Sequence, residues 1–166
     1  VVIDKTPIPF SFSWEGDTVE QLTKANVTQT NNIAYGSAKI TKTDNVLSEA
    51  VPNVSYKIVP TKDVTLQNGT IIYKKGETVE TISTDADGIA KSTSRLYVSS
   101  DGTGDYAFIE MAVPGNMTID STPIPFTIEY AGQDTEVLPE EDREQTNNVT
   151  YGSAQITKKE STKSSL

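Results

Sequence analysis

Short runs in which apolar and polar side chains alternate recur along the chain, at Ala38 to Thr43, Val54 to Val59, Thr78 to Ile82, Tyr106 to Met111 and Pro125 to Tyr130. A period of two lets a strand bury one face and wet the other, and no run keeps the 3.6-residue period of an amphipathic helix. Between the runs stand Asn68-Gly69, Lys75-Gly76, Asp87-Gly88 and Asp101-Gly102-Thr103-Gly104, residues that turn a chain because they accept left-handed backbone. Short strands closed by such turns predict an all-β fold, an antiparallel Ig-like β-sandwich of about seven strands. Pro123 and Pro125 put the strand they open at an edge or an irregular pairing, because proline donates no ladder hydrogen bond.

A longer period lies over the short one. Ile3-Asp4, Thr6 to Phe10, Gln29 to Asn32 and Tyr35 to Ala38 return 116 positions later as Ile119-Asp120, Thr122 to Phe126, Gln145 to Asn148 and Tyr151 to Ala154. Residues 1–50 and 117–166 are identical at 22 of 50 positions without a gap, the mark of tandem modules. Residues 51–116 occur once, so the chain holds little more than one repeat. We frame residues 36–150 as a complete module, 1–34 as the C-terminal strands of a preceding repeat and 152–166 as the first strand of a following one. Both fragments would carry unpaired strand edges, which predicts disorder, strand addition or swapping there. Trp14 aligns with Tyr130 and reads as a repeated packing position.

Charge and composition narrow the function. A formal net charge of -9 argues against nucleic acid, which is bound through clustered lysine and arginine, and against anionic membrane surfaces. No stretch approaches the ~20 apolar residues of a membrane-crossing helix, so membrane insertion is not expected. The chain opens at Val1 without the charged and apolar halves of a signal peptide, and so reads as an excised soluble piece. Cysteine and histidine are both absent, which leaves no disulfide framework, no thiolate metal site and no imidazole base. No cofactor is implied. An exported protein of this kind needs some other device against shear and proteolysis.

Two charges stand on faces that should be apolar. Ala38, Ile40 and Lys42 share one side of a strand, and Tyr106, Phe108 and Glu110 share one side of another. A lone buried charge costs several kcal/mol, on the order of that for any unpaired ion in an apolar interior. Either the two residues reach solvent from strand ends, as long charged side chains do, or they meet. Lys158 follows Ala154 and Ile156 in the next copy just as Lys42 follows Ala38 and Ile40, so the charged end of this face belongs to the repeat.

Gly36-Ser37-Ala38-Lys39-Ile40-Thr41-Lys42-Thr43-Asp44 resembles the opening strand of Cna B-type, SpaA-like modules, which build pili and adhesin stalks in Gram-positive bacteria. Tyr106 to Glu110 followed by Pro114 is similar to their late strand carrying a catalytic glutamate, and Thr84-Asp85-Ala86-Asp87-Gly88 to their mid-domain turn. The resemblance covers residues 36 to about 150 and implies a prealbumin-like sandwich whose first and last strands run side by side in parallel. It further implies an autocatalytic isopeptide bond, with Lys42 as the amine, Glu110 as the proton-handling acid and Asn147, alternatively Asn148, as the amide that loses ammonia. Asn31 and Lys158 occupy the equivalent positions of the partial repeats. Such a bond forms once and stays in the protein, so the chain is not expected to be an enzyme.

The expected partners are neighbouring repeats of the same polypeptide, on an extracellular, cell-wall-attached surface protein whose anchor lies outside residues 1–166. A rival reading is a ligand-binding adhesin domain, in which loops such as Val64 to Lys75 or Ser99 to Asp105 grip a host matrix protein or glycan. Asp85, Asp87 and Gly88 read as a plain turn, because a calcium loop needs further ligands at fixed spacing. Leu138-Pro139-Glu140-Glu141-Asp142 opens like a cell-wall sorting signal but lacks its Thr-Gly, and is expected to be a loop.

Overall fold

The computed structural model describes residues 2–12 and 25–160; Trp14 and residues 161–166 lie outside them. Among the described residues ten strands form. They are β1 (Tyr35–Asp44), β2 (Ser55–Pro60), β3 (Val64–Thr65), β4 (Ile71–Tyr73), β5 (Glu80–Ser83), β6 (Ile89–Lys91), β7 (Leu96–Tyr97), β8 (Thr103–Ala112), β9 (Ile124–Glu129) and β10 (Val137–Asn147). Four of the ten are only two or three residues long, too short for alternation to show, which is why the sequence suggested about seven.

Two sheets make the sandwich. One runs β10-β1-β6 with β7 also on β1, and the other runs β5-β2-β8-β9, while β3 and β4 form a small separate hairpin. Every ladder is antiparallel except that between β1 and β10, the first and last strands, which run parallel. A parallel pair needs a long connection to bring the chain back to the same end, and here the rest of the module is that connection. β9 lies at a sheet edge, where Pro125 faces Ala107 without breaking an inner ladder.

Burial follows the alternation. Along β1, Gly36, Ala38, Ile40 and Lys42 are buried and their neighbours half-buried. Ile40, Tyr56, Ile58, Leu96, Tyr106, Phe108, Phe126 and Ile128 fill the space between the sheets. Phe126 lies 4.8 Å from Phe108 and 5.8 Å from Tyr106, centroid to centroid, distances at which aromatic pairs attract.

The segment expected as a loop, Leu138 to Asp142, is instead the opening of β10. Between Tyr35 and Ser37 the partner advances from Val137 to Glu140, so β10 holds one residue more than β1 across this step. The bulge coincides with Pro139, which suits an edge strand. It also resets the phase: after Leu138, the inward positions become Glu141, Arg143, Gln145 and Asn147. Acidic residues crowd the outward face, which is what hid this strand in the sequence.

Ahead of β1, Ala34 is buried in the core and Val2 packs against it; the described part of residues 2–34 makes one isolated bridge, Val2 to Asn32, and residues 151–160 make no strand. Tyr151 and Ile156 are each 94% exposed.

Candidate functional site

Lys42 ends the buried face of β1, Glu110 ends that of β8 in the opposite sheet, and Asn147 is the last residue of β10. Strand geometry alone turns all three inward at one end of the sandwich. Relative exposures of 0%, 1% and 2% make Lys42, Glu110 and Asn147 three of the five buried polar or charged residues described.

The three side chains meet. Lys42 Nζ lies 3.1 Å from Glu110 Oε1, and Asn147 Nδ2 donates to Glu110 Oε1 at 2.8 Å and Oε2 at 2.7 Å. The amine and the carboxamide therefore share one carboxylate oxygen. The backbone N–H of Asp120 donates to Glu110 Oε2 at 2.6 Å and fixes the carboxylate from a third side. Asn147 Oδ1 is buried with no hydrogen-bond partner, although buried acceptors are almost always satisfied.

Burial pushes the Lys42 amine below the usual lysine range, because an ammonium loses its water shell there; the Glu110 carboxylate opposes the shift without cancelling it. The backbone of Lys42 is held as closely as its side chain. Its N–H donates to Gly88 O at 2.8 Å and its carbonyl accepts from Val51 N at 3.0 Å. Gly88 has φ +73, and a Cβ there would stand 2.6 Å from Lys42 O, so the turn after Asp85 is glycine for two reasons at once.

Two residues not singled out in the sequence complete the cluster. Gln145 Oε1 accepts from Lys42 Nζ at 3.0 Å and from the Tyr56 hydroxyl at 2.6 Å, while Gln145 Nε2 donates to Asp120 O at 3.1 Å. Burial holds the Tyr56 hydroxyl protonated well above its ordinary range, with Glu110 adding to the effect. A signal was present for both: Gln145 shares the strand face of Asn147 and recurs as Gln29, and Tyr56 shares the face of Ile58.

Other candidate positions stand apart from this cluster. Asn148 is exposed, and its carbonyl accepts from Thr118 N at 3.0 Å. Asn31 and Lys158 are also exposed; Asn31 Oδ1 accepts from Asp4 N at 3.0 Å. The two suggested ligand loops hold each other, through Thr65 N to Ser99 Oγ at 3.0 Å and Ser100 N to Thr65 O at 2.7 Å. Asp85 Oδ1 accepts from Asp87 N and Ile89 N and closes its own turn. An open groove between β9 and β10, lined by Pro125, Phe126, Ile128, Leu138 and Arg143, shares no residue with the buried cluster.

The family model described as "SpaA: Prealbumin-like fold domain" matches residues 36–143. No curated protein matches the chain. Among solved structures it is similar to the Bacillus anthracis TIE protein, at 20% identity and a TM-score of 0.47 over 70% of this chain and 17% of that one. It is similar to BcpA, the major pilin subunit of Bacillus cereus, at 22% identity and 0.41 over 69% and 29%. The full-length major pilin SpaD from Corynebacterium diphtheriae matches at 17% identity and 0.48 over 76% and 32%. The chain thus spans less than a third of the length of each of these three proteins.

Proposed function

Because the chain belongs to the SpaA family of prealbumin-like fold domains, we propose that it is a structural stalk module of a Gram-positive surface pilin or adhesin, welded by an amide bond between Lys42 and Asn147. The observation that carries this reading is the fully buried contact of Lys42 Nζ with Glu110 Oε1 at 3.1 Å, with the Asn147 carboxamide on the same carboxylate.

The chemistry needs a neutral amine, since an ammonium has no lone pair. Lys42 passes a proton to Glu110, which turns two opposite buried charges into two neutral groups. Rotating the Asn147 carboxamide by half a turn then exchanges its two polar atoms and offers the unpartnered Oδ1 to the Glu110 O–H. Lys42 Nζ attacks the polarised carbonyl carbon and the new C–N bond forms; Glu110 delivers its proton to Nδ2 and takes one in return from Nζ, and the old C–N bond breaks with loss of ammonia, leaving a neutral amide and a protonated Glu110. Holding amine and amide in contact supplies roughly 7 to 11 kcal/mol that the same reaction in water lacks. The product remains in the fold, so the step is a single maturation event.

The position of the weld gives it a mechanical purpose. Tension entering at Tyr35 would run along β1 to Lys42, cross the bond to Asn147 and leave, so the chain between 43 and 146 would carry no load. The neighbours in that load path would be further repeats, outside the cell and attached to its wall. Repeated hydrogen bonds support the framing of 1–34 as the end of a preceding module. Val2 N to Asn32 O at 2.7 Å repeats Thr118 N to Asn148 O at 3.0 Å, and Thr6 N to Asp4 Oδ1 at 2.8 Å repeats Thr122 N to Asp120 Oδ1 at 3.0 Å.

Intact mass spectrometry tests the reading. The purified chain is expected to weigh one ammonia less than its sequence, and Glu110→Ala to weigh its full sequence mass. A wild-type chain at full mass would falsify the weld.

A further inference from the structure

Gln145 touches the Lys42 amine alongside Glu110, and the proposed reaction as written above gives it no task. Its carboxamide orientation is settled by its partners. Asp120 O can only accept and so must meet the amide nitrogen, at 3.1 Å, which leaves Oε1 to accept from the Tyr56 hydroxyl at 2.6 Å. The atom presented to Lys42 at 3.0 Å is therefore an oxygen.

We infer that Gln145 is a positioning residue for the crosslinking step, aiming the Lys42 lone pair at Asn147; the inference rests on the Lys42 to Asn147 bond proposed above. A neutral amine on its carbon stem has two N–H bonds and one lone pair. Glu110 Oε1 lies at 3.1 Å and Gln145 Oε1 at 3.0 Å, so the two oxygens take one N–H each. The lone pair is left with the remaining tetrahedral direction. Without the second acceptor the amine turns freely about its last C–N bond and spends most of its time aimed elsewhere.

An independent observation says that this side chain has an anchor of its own. In the partial repeat, Gln29 Nε2 donates to Asp4 O at 2.6 Å, as Gln145 Nε2 does to Asp120 O. The anchor thus belongs to the Gln-Thr-Asn-Asn segment and its facing loop, since it forms in both copies. In the complete module the other end of the amide meets the Lys42 amine.

The test follows newly made protein, synthesised in a cell-free system, quenched in acid at intervals and weighed intact. Gln145→Met keeps the bulk and removes the acceptor, and is expected to slow ammonia loss roughly 10- to 100-fold, the range for small misplacements of a reacting group. Gln145→Glu puts a second carboxylate on Lys42, beside Glu110 from β8, Tyr56 from β2 and the nearby Asp120. It should hold the amine as ammonium, so its rate is expected to be low near neutrality and to climb with pH more steeply than wild type. Tyr56→Phe, which keeps the buried ring, should slow the reaction by a smaller factor and serves if Gln145→Met fails to fold. Gln145→Met at the wild-type rate, an unchanged pH profile in Gln145→Glu, or Lys42 found joined to Gln145 would each overturn the inference. Wild type that never loses ammonia overturns the underlying bond and the inference with it, whereas wild type that loses ammonia beside unaffected variants overturns the inference alone.

Discussion

Asn147 Nδ2 donates across both carboxylate oxygens of Glu110, at 2.8 and 2.7 Å, while its own carbonyl oxygen has no partner in a site 2% exposed. The arrangement satisfies the acid fully and the amide only in part. An acid that gains a proton becomes the donor the amide oxygen lacks, and this is the geometric basis for assigning Glu110 the proton transfers and Asn147 the leaving ammonia.

Replacing Glu110 by glutamine preserves its shape and removes its proton traffic. Glu110→Gln is expected to fold, to keep its full mass, and to lose the stability that a weld closing a ~100-residue loop confers, about 4 to 5 kcal/mol by the chain-entropy estimate. Urea unfolding of the two proteins measures the difference.

The buried lysine gives the unwelded protein a pH signature. Burial lowers the Lys42 pKa below its unfolded value, so toward alkaline pH the unfolded chain binds more protons than the folded one, and stability rises until the unfolded lysine also loses its proton near 10.5. Asn147→Ala, which keeps Lys42 but cannot be welded, is expected to gain stability between pH 7 and 10, by at most about 1.4 kcal/mol per pH unit. In a welded wild type Lys42 would be an amide with no proton to lose, so this component should be missing. Denaturant midpoints of both proteins across that range read it directly.

Gly88 stands under Lys42. A Cβ at this position would meet Lys42 O at 2.6 Å on a backbone of φ +73, so Gly88→Ala is expected to cost roughly 1 to 3 kcal/mol. It should also displace Lys42 and delay ammonia loss. Carrying the change in Glu110→Gln separates the two effects, since unfolding there reports stability without the weld.

A second charge cluster pins the start of β8, away from the buried one. Lys62 Nζ lies 2.8 Å from both Asp101 Oδ2 and Asp105 Oδ2, and its hydrogen bond draws the Asp101 carboxyl down to about 2. A depressed carboxylate stabilises the fold above its unfolded pKa of 3.8 and loses that contribution as pH falls through about 2. These groups are partly exposed and screened, so Lys62→Met should cost roughly 0.2 to 1 kcal/mol at pH 5. The gap between mutant and wild type should close by pH 2, as followed by thermal unfolding.

The period-two pattern was enough to read the sandwich, and enough to set Lys42 beside Ala38 and Ile40 on one face of β1 and Glu110 beside Tyr106 and Phe108 on one face of β8. Register was less accessible. Which of Asn147 and Asn148 turns inward depends on the extra residue near Pro139, and one inserted residue flips every side chain after it. A bulge leaves no mark in composition, and the acidic outer face of β10 made its opening look like a loop. Gln145 went unnoticed because a half-buried glutamine is an ordinary strand residue until its partners are known. The repeat held the clue, in the return of Gln29-Thr30-Asn31-Asn32 as Gln145 to Asn148.

The central claim is a covalent bond between two named side chains, and tandem mass spectrometry of a protease digest examines it most directly. The account predicts one branched peptide in which Lys42 Nζ is joined to the Asn147 side-chain carbonyl, together with the disappearance of both linear peptides. Recovery of unmodified linear peptides containing Lys42 and Asn147 would contradict it.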